Sequence, residues 1–428
     1  MLFRSVGDDV TVEAAVAGGA RDRLRAVLMT GLLAWCVGQH GDRPFLIDGH
    51  RTLSYAEADR ESAGLAASFL AMGIGKGTRI GILMPNRADF VIVWLAAARG
   101  SAADMRLVEA AQKQDRAAIA ALLKSGADVK ASQSDGATAL HWAAQWSDLP
   151  TAEQLVRAGA NVNGANAYGV RPLALACLNG NLEMATLLLK SGADVNAAQA
   201  SGETPIMTAA RTGNAKLVEA LLAAKANPNV HESRRGQTAL MWAAEQNHFD
   251  AARALVRGGA DVHARAKSGF TALMFAGQQG NVDMARLLLE GGARVNDSTD
   301  EFGTALVLAA ARGHEKLALF LLDQGADPNA GDKDGLTAMH YALLKGMANI
   351  TAVPGHLAVA SFMFRPNMTA LFKELIARGG NINARVKTDP VMPGSTPRFS
   401  MAGATPFLLA TGSSDIELLR WMLDHGAD

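Results

Sequence analysis

A mainly α solenoid of helix–turn–helix units joined by β-hairpin loops, preceded by an incomplete α/β segment, is the fold class that this 428-residue sequence predicts. Three observations carry the prediction. A seven-residue phrase recurs at a nearly fixed step, a second phrase recurs in phase with it, and residues 1–100 share neither. Repetition at roughly twenty to fifty residues marks stacked repeat architectures.

In the first hundred residues, PFLID and RTLSY are short alternating runs joined by Gly-His, a hairpin signal. YAEADRESAGLAASFLAMG then carries apolar positions at helical spacing, RIGILMP has the character of a buried strand, and ADFVIVWLAAARG is a second helix. Strand, helix, strand, helix indicates an α/β layer. The run RTLSYAEADR, the turn GIGKGTR, the strand GILMPN and the helix ending LAAAR resemble the N-terminal opening of the adenylate-forming superfamily, the AMP-forming acyl-CoA synthetases and their relatives, over about residues 20–100. The resemblance implies a Ser/Thr/Gly-rich phosphate loop, adenylate-holding aromatic and acidic residues and a catalytic Lys further along, and the text after Gly100 offers none of these. GIGKGTR itself precedes a strand instead of opening a helix, so it reads as a helix-to-strand turn and not as a nucleotide loop.

At about Ser101–Asp104 the text changes. A natural fusion, a fusion left by sequence assembly and a replaced leader all account for such a junction. A recombined or misassembled frame is favoured over a working synthetase fusion, because half a domain cannot complete its own sheet and core.

The repeated text opens as TALHWAA at Thr138 and returns as RPLALAC at Arg171, TPIMTAA at Thr204, TALMWAA at Thr238, TALMFAG at Thr271, TALVLAA at Thr304, TAMHYAL at Thr337 and TPFLLAT at Thr405. The steps are 33, 33, 34, 33, 33, 33 and 68 residues. The companion phrase is SGADVK at Ser125, AGANVN at Ala158, SGADVN at Ser191, GGADVH at Gly258, GGARVN at Gly291, QGADPN at Gln324, GGNIN at Gly379 and HGAD at His425. Thr at the head of the first phrase is placed to cap a helix, and Pro172, Pro205 and Pro406 sit in the first turn, where a missing N–H costs nothing. The Gly of each GAD phrase supplies a left-handed stop after a second helix. LVEALL, MARLLLE and LALFLLD each present one apolar face, which two short helices cannot bury alone, so units stack into a curved solenoid.

This text resembles the ankyrin repeat, with its period of about 33 and its T-P-L-H-x-A signature. The resemblance covers about residues 103–428 as some nine repeats. Ala103–Ser134, with DMRLVEAAQKQDRAAIAALLK in place of the usual opening, reads as an N-terminal cap. The 68-residue step adds an apolar insert near residues 347–367, between the helices of one repeat, and a proline-rich loop near 386–400. Long loops of this kind tend to carry function. The text stops at HGAD with no polar closing helix, which predicts either continuation or cover by another chain.

Function classes narrow from composition. Lys plus Arg and Asp plus Glu are 41 each, so no net positive field is available for nucleic acid. Ala26–Gly38 is too short to span a bilayer and lacks a cleavage site after it, so it reads as a soluble amphipathic helix and leaves no integral membrane segment. Cytoplasm is the default compartment; a leader lost at the junction would leave secretion or the periplasm open. Cys36 and Cys177 are too few and too far apart for a disulfide framework and read as buried small apolar residues.

No HExxH, CxxC or G-x-S-x-G occurs, so the sequence offers no metal site, no catalytic residue and no cofactor site. His141 and His340 are the His of the repeat signature, which in ankyrin repeats bonds backbone between repeats. The position after it carries Trp142, Trp242, Phe275 and Tyr341 in four of eight cases, either an aromatic ladder or packing between repeats. Variable positions ending the first helices are the binding candidates: Gln145, Trp146, Leu178, Asn179, Arg211, Thr212, Glu245, Gln246, Gln278 and Gln279. In ankyrin repeats such positions line a concave groove with hairpin tips, here Tyr168, Arg234, Arg235 and Phe270. Trp146 is the first choice for a hot spot. The expected function is capture of a protein partner without chemistry by this chain; the alternative is a fragment or fusion of an ATP-dependent acyl-CoA synthetase on an ankyrin scaffold.

Overall fold

The computed structural model describes residues 44–47, 52–54, 56–58, 60–63, 65, 105–343, 368–389, 401–411 and 415–428. Ala26–Gly38, Cys36, GIGKGTR and the insert near 347–367 lie outside these residues, as do residues 390–400 of the proline-rich loop. The chain divides into two compact units, residues 1–134 and 135–428.

In the first unit, β1 (Pro44–Ile47) and β2 (Thr52–Ser54) pair antiparallel with Ile47 opposite Thr52 and Leu46 opposite Leu53, the hairpin that PFLID and RTLSY predict. Ser54 then starts a helical stretch through a reciprocal cap. Its N–H and hydroxyl both donate to Glu57 Oε2 at 2.9 Å, and its Oγ accepts the Glu57 N–H at 3.3 Å. Ala58 and Ser62 are buried on that stretch. Further on, α1 (Arg106–Gln112) and α2 (Arg116–Lys124) form a helix pair, α2 capped by Asp115, whose carboxylate accepts the Ala118 N–H.

The second unit repeats that pair eight times among the described residues. The first helices are α3 (Ala139–Gln145), α5 (Pro172–Leu178), α7 (Pro205–Thr212), α9 (Ala239–Glu245), α11 (Ala272–Gln279), α13 (Ala305–Arg312), α15 (Ala338–Leu343) and α17 (Pro406–Thr411). Their partners are α4 (Leu149–Arg157), α6 (Leu182–Lys190), α8 (Ala215–Ala223), α10 (Phe249–Arg257), α12 (Val282–Glu290), α14 (Glu315–Asp323), α16 (Thr369–Ala377) and α18 (Ile416–Asp424). The one regular strand pair of this unit among the described residues is short: β3 (Ser298–Thr299) and β4 (Gly303–Thr304), antiparallel just before α13.

Second helices are set by polar side chains at their first position. Asp148, Asn181, Asn214, Asn281 and Asp415 each accept the N–H three residues on. They end as the GAD phrase predicts: Gly126, Gly159, Gly192, Gly259, Gly292, Gly325, Gly379 and Gly426 all have φ between 81° and 97°. After α8 the same place is held by Lys225, at φ 71°. Between the helices of a pair the chain also turns left-handed, and Gly213 there serves two ends. A Cβ would meet the ring of His248, the residue that precedes α10, whose Nε2 holds the Arg211 carbonyl at 3.0 Å.

First helices are buried on nearly all sides. In α9, five of seven residues (Ala239, Leu240, Met241, Ala243 and Ala244) are buried, and in α11 six of eight. Alanines at these positions let neighbouring first helices approach closely, so the core of this unit is a continuous row. Thr at the helix start is found in three settings. Where His stands three residues on, His141 Nδ1 receives the Thr138 N–H at 3.1 Å and lies 2.9 Å from its hydroxyl, and His340 does the same for Thr337. Nδ1 is then the acceptor, so Nε2 carries the proton and donates at 3.1 Å to the next repeat: His141 to Val170 O, His340 to Ala384 O. Without the His, Thr238, Thr304 and Thr405 accept the N–H three residues on at 3.4 Å, whereas the hydroxyls of Thr204 and Thr271, before Met207 and Met274, are left without a hydrogen-bond partner.

A second stitch runs along the loops. The last Asn of the companion phrase accepts a backbone N–H of the next repeat and donates to the carbonyl of its turn glycine. Asn163 takes the Asp194 N–H at 2.7 Å and gives to Gly192 O at 2.9 Å. The pattern recurs at Asn196, where Lys225 supplies the carbonyl, and at Asn229, Asn296, Asn329 and Asn383. After α10 His263 holds this position, and Arg265 spans that junction instead, to Ser298 O at 3.1 Å and Asp297 at 2.8 Å. His263→Asn should therefore complete the row and raise stability by about 1 kcal/mol, read as a higher urea midpoint at unchanged slope; an unchanged or lower midpoint contradicts the bridge as an energetic term.

The two histidines make the array acid-sensitive. Burial, opposed by the carbonyls of Ala384 and Ala404, lowers His340 from 6.5 to about 4, and burial lowers His141 as well. Because the folded value lies below the unfolded one, the unfolded chain binds the proton more readily. His340 therefore contributes stability that is complete above pH 6.5 and is lost as pH falls towards 4. The wild-type minus His340→Gln difference in unfolding free energy should shrink by up to about 3 kcal/mol between neutral pH and pH about 4; a difference independent of pH would refute it.

Candidate functional site

Once the first helices are buried against one another, their C-terminal ends and the hairpin tips remain accessible. α3 ends in Gln145, half-buried, and Trp146, 45 % exposed. Trp146 stacks on Trp142 one turn earlier, with ring centroids 6.2 Å apart and planes inclined by 23°. One repeat on, Leu178 is equally exposed, while Asn179 turns its amide back onto the carbonyls of Ala144 and Gln145, at 3.1 and 2.7 Å. Asn179 thereby joins two repeats while staying at the surface. Tyr168, at the preceding hairpin tip, is 68 % exposed, and its backbone carbonyl accepts the Ala200 N–H.

Further along lies a connected polar run. Arg211, at the end of α7, bonds Glu203 at 3.2 Å and sits 5.5 Å over the Trp242 ring. Glu203 also accepts the Thr208 hydroxyl at 2.7 Å. The Trp242 indole N–H donates to Gln237 at 2.9 Å, the Gln237 amide donates to Glu245 at 3.0 Å, and Glu245 pairs loosely with Arg235 at 3.5 Å. Arg211, Arg235 and Glu245 are thus held in one network, beside the exposed Gln246. Gln279 is exposed; Gln278 is half-buried and its carbonyl accepts from His314 Nε2 at 3.0 Å.

Two candidates differ from their expected setting. Phe270 is no open tip: it is only 7 % exposed, because Phe302 from the next hairpin stacks on it at 5.2 Å and Phe275 packs beneath at 5.3 Å. The ring that reaches solvent is Phe302. Tyr341, a rung of the considered aromatic ladder, spends its hydroxyl on Asp332 at 2.6 Å. Burial, then that carboxylate, push the phenol far up, and burial raises the Asp332 carboxyl.

Arg234 and Arg235 rest on a residue the sequence reading passed over. Glu232 is buried, and its carboxylate accepts the N–H groups of Arg234 and Arg235 at 2.6 Å each and of Gln237 at 3.1 Å. Burial acts to raise its carboxyl, but the backbone N–H groups of Gln237, Arg234, Arg235 and Gly236 outweigh it and hold the group below the usual range. The available signal was the single 34-residue step, which adds one residue to this hairpin. Burial pushes the Cys177 thiol far up, so it is an inert packing residue. Among the described residues no cluster of three His, Cys, Asp or Glu side chains could hold a metal ion, and no helix is long and apolar enough to cross a membrane. The surface at these positions offers aromatic faces, amides and paired charges.

Comparison with known proteins bears on both halves of the chain. Three copies of the family model for ankyrin repeats match residues 107–199, 206–299 and 273–353. The family model for AMP-binding enzymes matches residues 33–151. The overlap, 107–151, contains α1–α3 and the start of α4, which are built as the later helix pairs are. 4-Coumarate-CoA ligase 1 of Narcissus pseudonarcissus is 38 % identical over 61 residues, 14 % of this chain and 11 % of the ligase, so the match spans about a tenth of that enzyme. The crystal structure of the human ASB11 ankyrin repeat domain is similar at 28 % identity and a TM-score of 0.46, over 51 % of this chain and 96 % of that domain.

Proposed function

The chain belongs to the ankyrin-repeat family, and from that premise we propose that residues 103–428 are a protein-interaction array of about nine repeats that captures a partner through the ends of its first helices and its hairpin tips. The observation that carries this reading is the Trp142–Trp146 stack, with Trp146 exposed and Leu178 equally exposed one repeat on. A rigid aromatic pair held by its own helix is the kind of group that supplies most of an interface's energy, since little conformational freedom is lost when it is covered. Gln145, Asn179, Arg211, Glu245, Gln246, Gln278 and Gln279 would frame it as adaptable polar contacts, with Tyr168, Arg234 and Arg235 at the rim. Phe270 acts only through Phe302. No step of chemistry falls to the array, and the cytoplasm is its proposed compartment.

The AMP-binding match supports a second reading, in which residues 1–100 are part of an adenylate-forming ligase carried on the array. The first reading predicts no ATP–pyrophosphate exchange by the full chain with aromatic or fatty acids; measurable exchange would favour the second.

The interaction itself is tested by placing a photo-crosslinking amino acid at Trp146, Leu178 or Gln246 and, as controls, at Glu219 on α8 and Arg253 on α10, all in the full chain. The three first-helix positions should label one common protein in an extract of the source cells, the outer positions should not, and Trp146→Ala should weaken capture about tenfold or more. Labelling from the outer helices alone would contradict the proposal.

A further inference from the structure

The hairpin that lengthens the 33-residue step by a single residue also carries two adjacent arginines at its tip. Its extra residue is accommodated by Glu232, whose buried carboxylate gathers the N–H groups of Arg234, Arg235 and Gln237. The loop is closed further by Glu232 N–H to Gln237 O at 3.0 Å and Gly236 N–H to Glu232 O at 3.1 Å. Neighbouring tips clamp it from both sides: Ser233 N–H donates to Ser201 O at 2.9 Å, and Lys267 N–H donates to Arg235 O at 2.8 Å. Lys267 lies along the tip, its ammonium on Ser233 O at 2.5 Å. Every link fixes the backbone, yet the charges stay outside. Arg234 is exposed and has no acidic partner among the described residues; Arg235 is 61 % exposed, with only the loose Glu245 pair; Lys267 is exposed.

Three cations on two consecutive tips thus stand over one carboxylate that is already saturated by backbone. The patch is bounded. On the next tip Asp300 and Glu301 are exposed and reverse the sign. A phosphate backbone needs a long positive track, and neither this short patch nor the balanced chain supplies one. Forked guanidiniums carried on a fixed backbone suit carboxylates.

We propose that the Arg234–Arg235–Lys267 tip, held in shape by Glu232, reads an acidic segment of the partner protein, with Asp300 and Glu301 limiting how far that segment extends along the tips. This rests on the interaction reading above and adds the partner's chemistry to it. Preorganisation is the reason for the buried carboxylate: the arginines meet the partner without first ordering their loop.

Fluorescence anisotropy of the full chain with a fluorescein-labelled oligo-glutamate peptide tests it, against oligo-glutamine, oligo-lysine and an oligothymidylate strand of equal charge. Oligo-glutamate should bind alone, less well as salt rises. R234A/R235A, whose side chains are exposed and whose melting should match wild type, should lose about tenfold or more in affinity. Glu232→Gln, with both arginines intact, should lose severalfold. Equal binding by wild type and R234A/R235A, or oligothymidylate binding as tightly as oligo-glutamate, would overturn the proposal. Neither result depends on crosslinking from Trp146, so this tip can fail while the array still captures a partner, and the reverse.

Discussion

No helix pair among the described residues closes its own core, and that constraint organises everything else. The helices run from six to nine residues, too short to persist alone in water. Residues such as Leu240, Met241 and Ala244 on α9 are covered only because first helices from both sides lie against them. The loops face the same problem in polar form. Turn carbonyls and N–H groups that no helix satisfies are met by the next repeat, through asparagine bridges, His141 and His340, and the ring nitrogens of His248 and His314.

This lateral dependence is what makes a binding surface possible. Because helix ends are held from the neighbouring repeat, the side chains beside them stand on fixed backbone: Asn179 holds Gln145, His248 holds Arg211, and His314 holds Gln278 through their carbonyls. The cost of ordering the surface is met by folding, which leaves less to lose on association. The same logic explains why the polar run from Glu203 to Arg235 can cross from one repeat to the next without a break.

Much of this was legible in the sequence because it is written within one repeat. Helix pairs and the left-handed glycine each depend on neighbours a few residues away, and each lies where the two phrases place it. What escaped reading depends on residues about thirty positions off. Phe270 looked like an open tip because Phe302, which covers it, belongs to the next hairpin. The asparagines of the companion phrase were visible but without a role, since their partners are turns of the following repeat. The stop after α8 was missed outright: AKANPN has no glycine, and Lys225 takes the left-handed place instead. Glu232 could be found only by asking what one extra residue in a regular period must be for.

The account stands or falls on the lateral stitches being structural, and native-state hydrogen exchange of the full chain tests that directly. The N–H groups of Asp194, Asn227, Asp261, Asp327 and Asn381 lie on exposed loops, each taken by an asparagine of the preceding repeat. The account predicts that they exchange slowly, with free energies of opening approaching those of the adjoining helices. Exchange as fast as in an unstructured loop would show that repeats meet only through their helices, and would remove the fixed backbone on which the proposed binding surface depends.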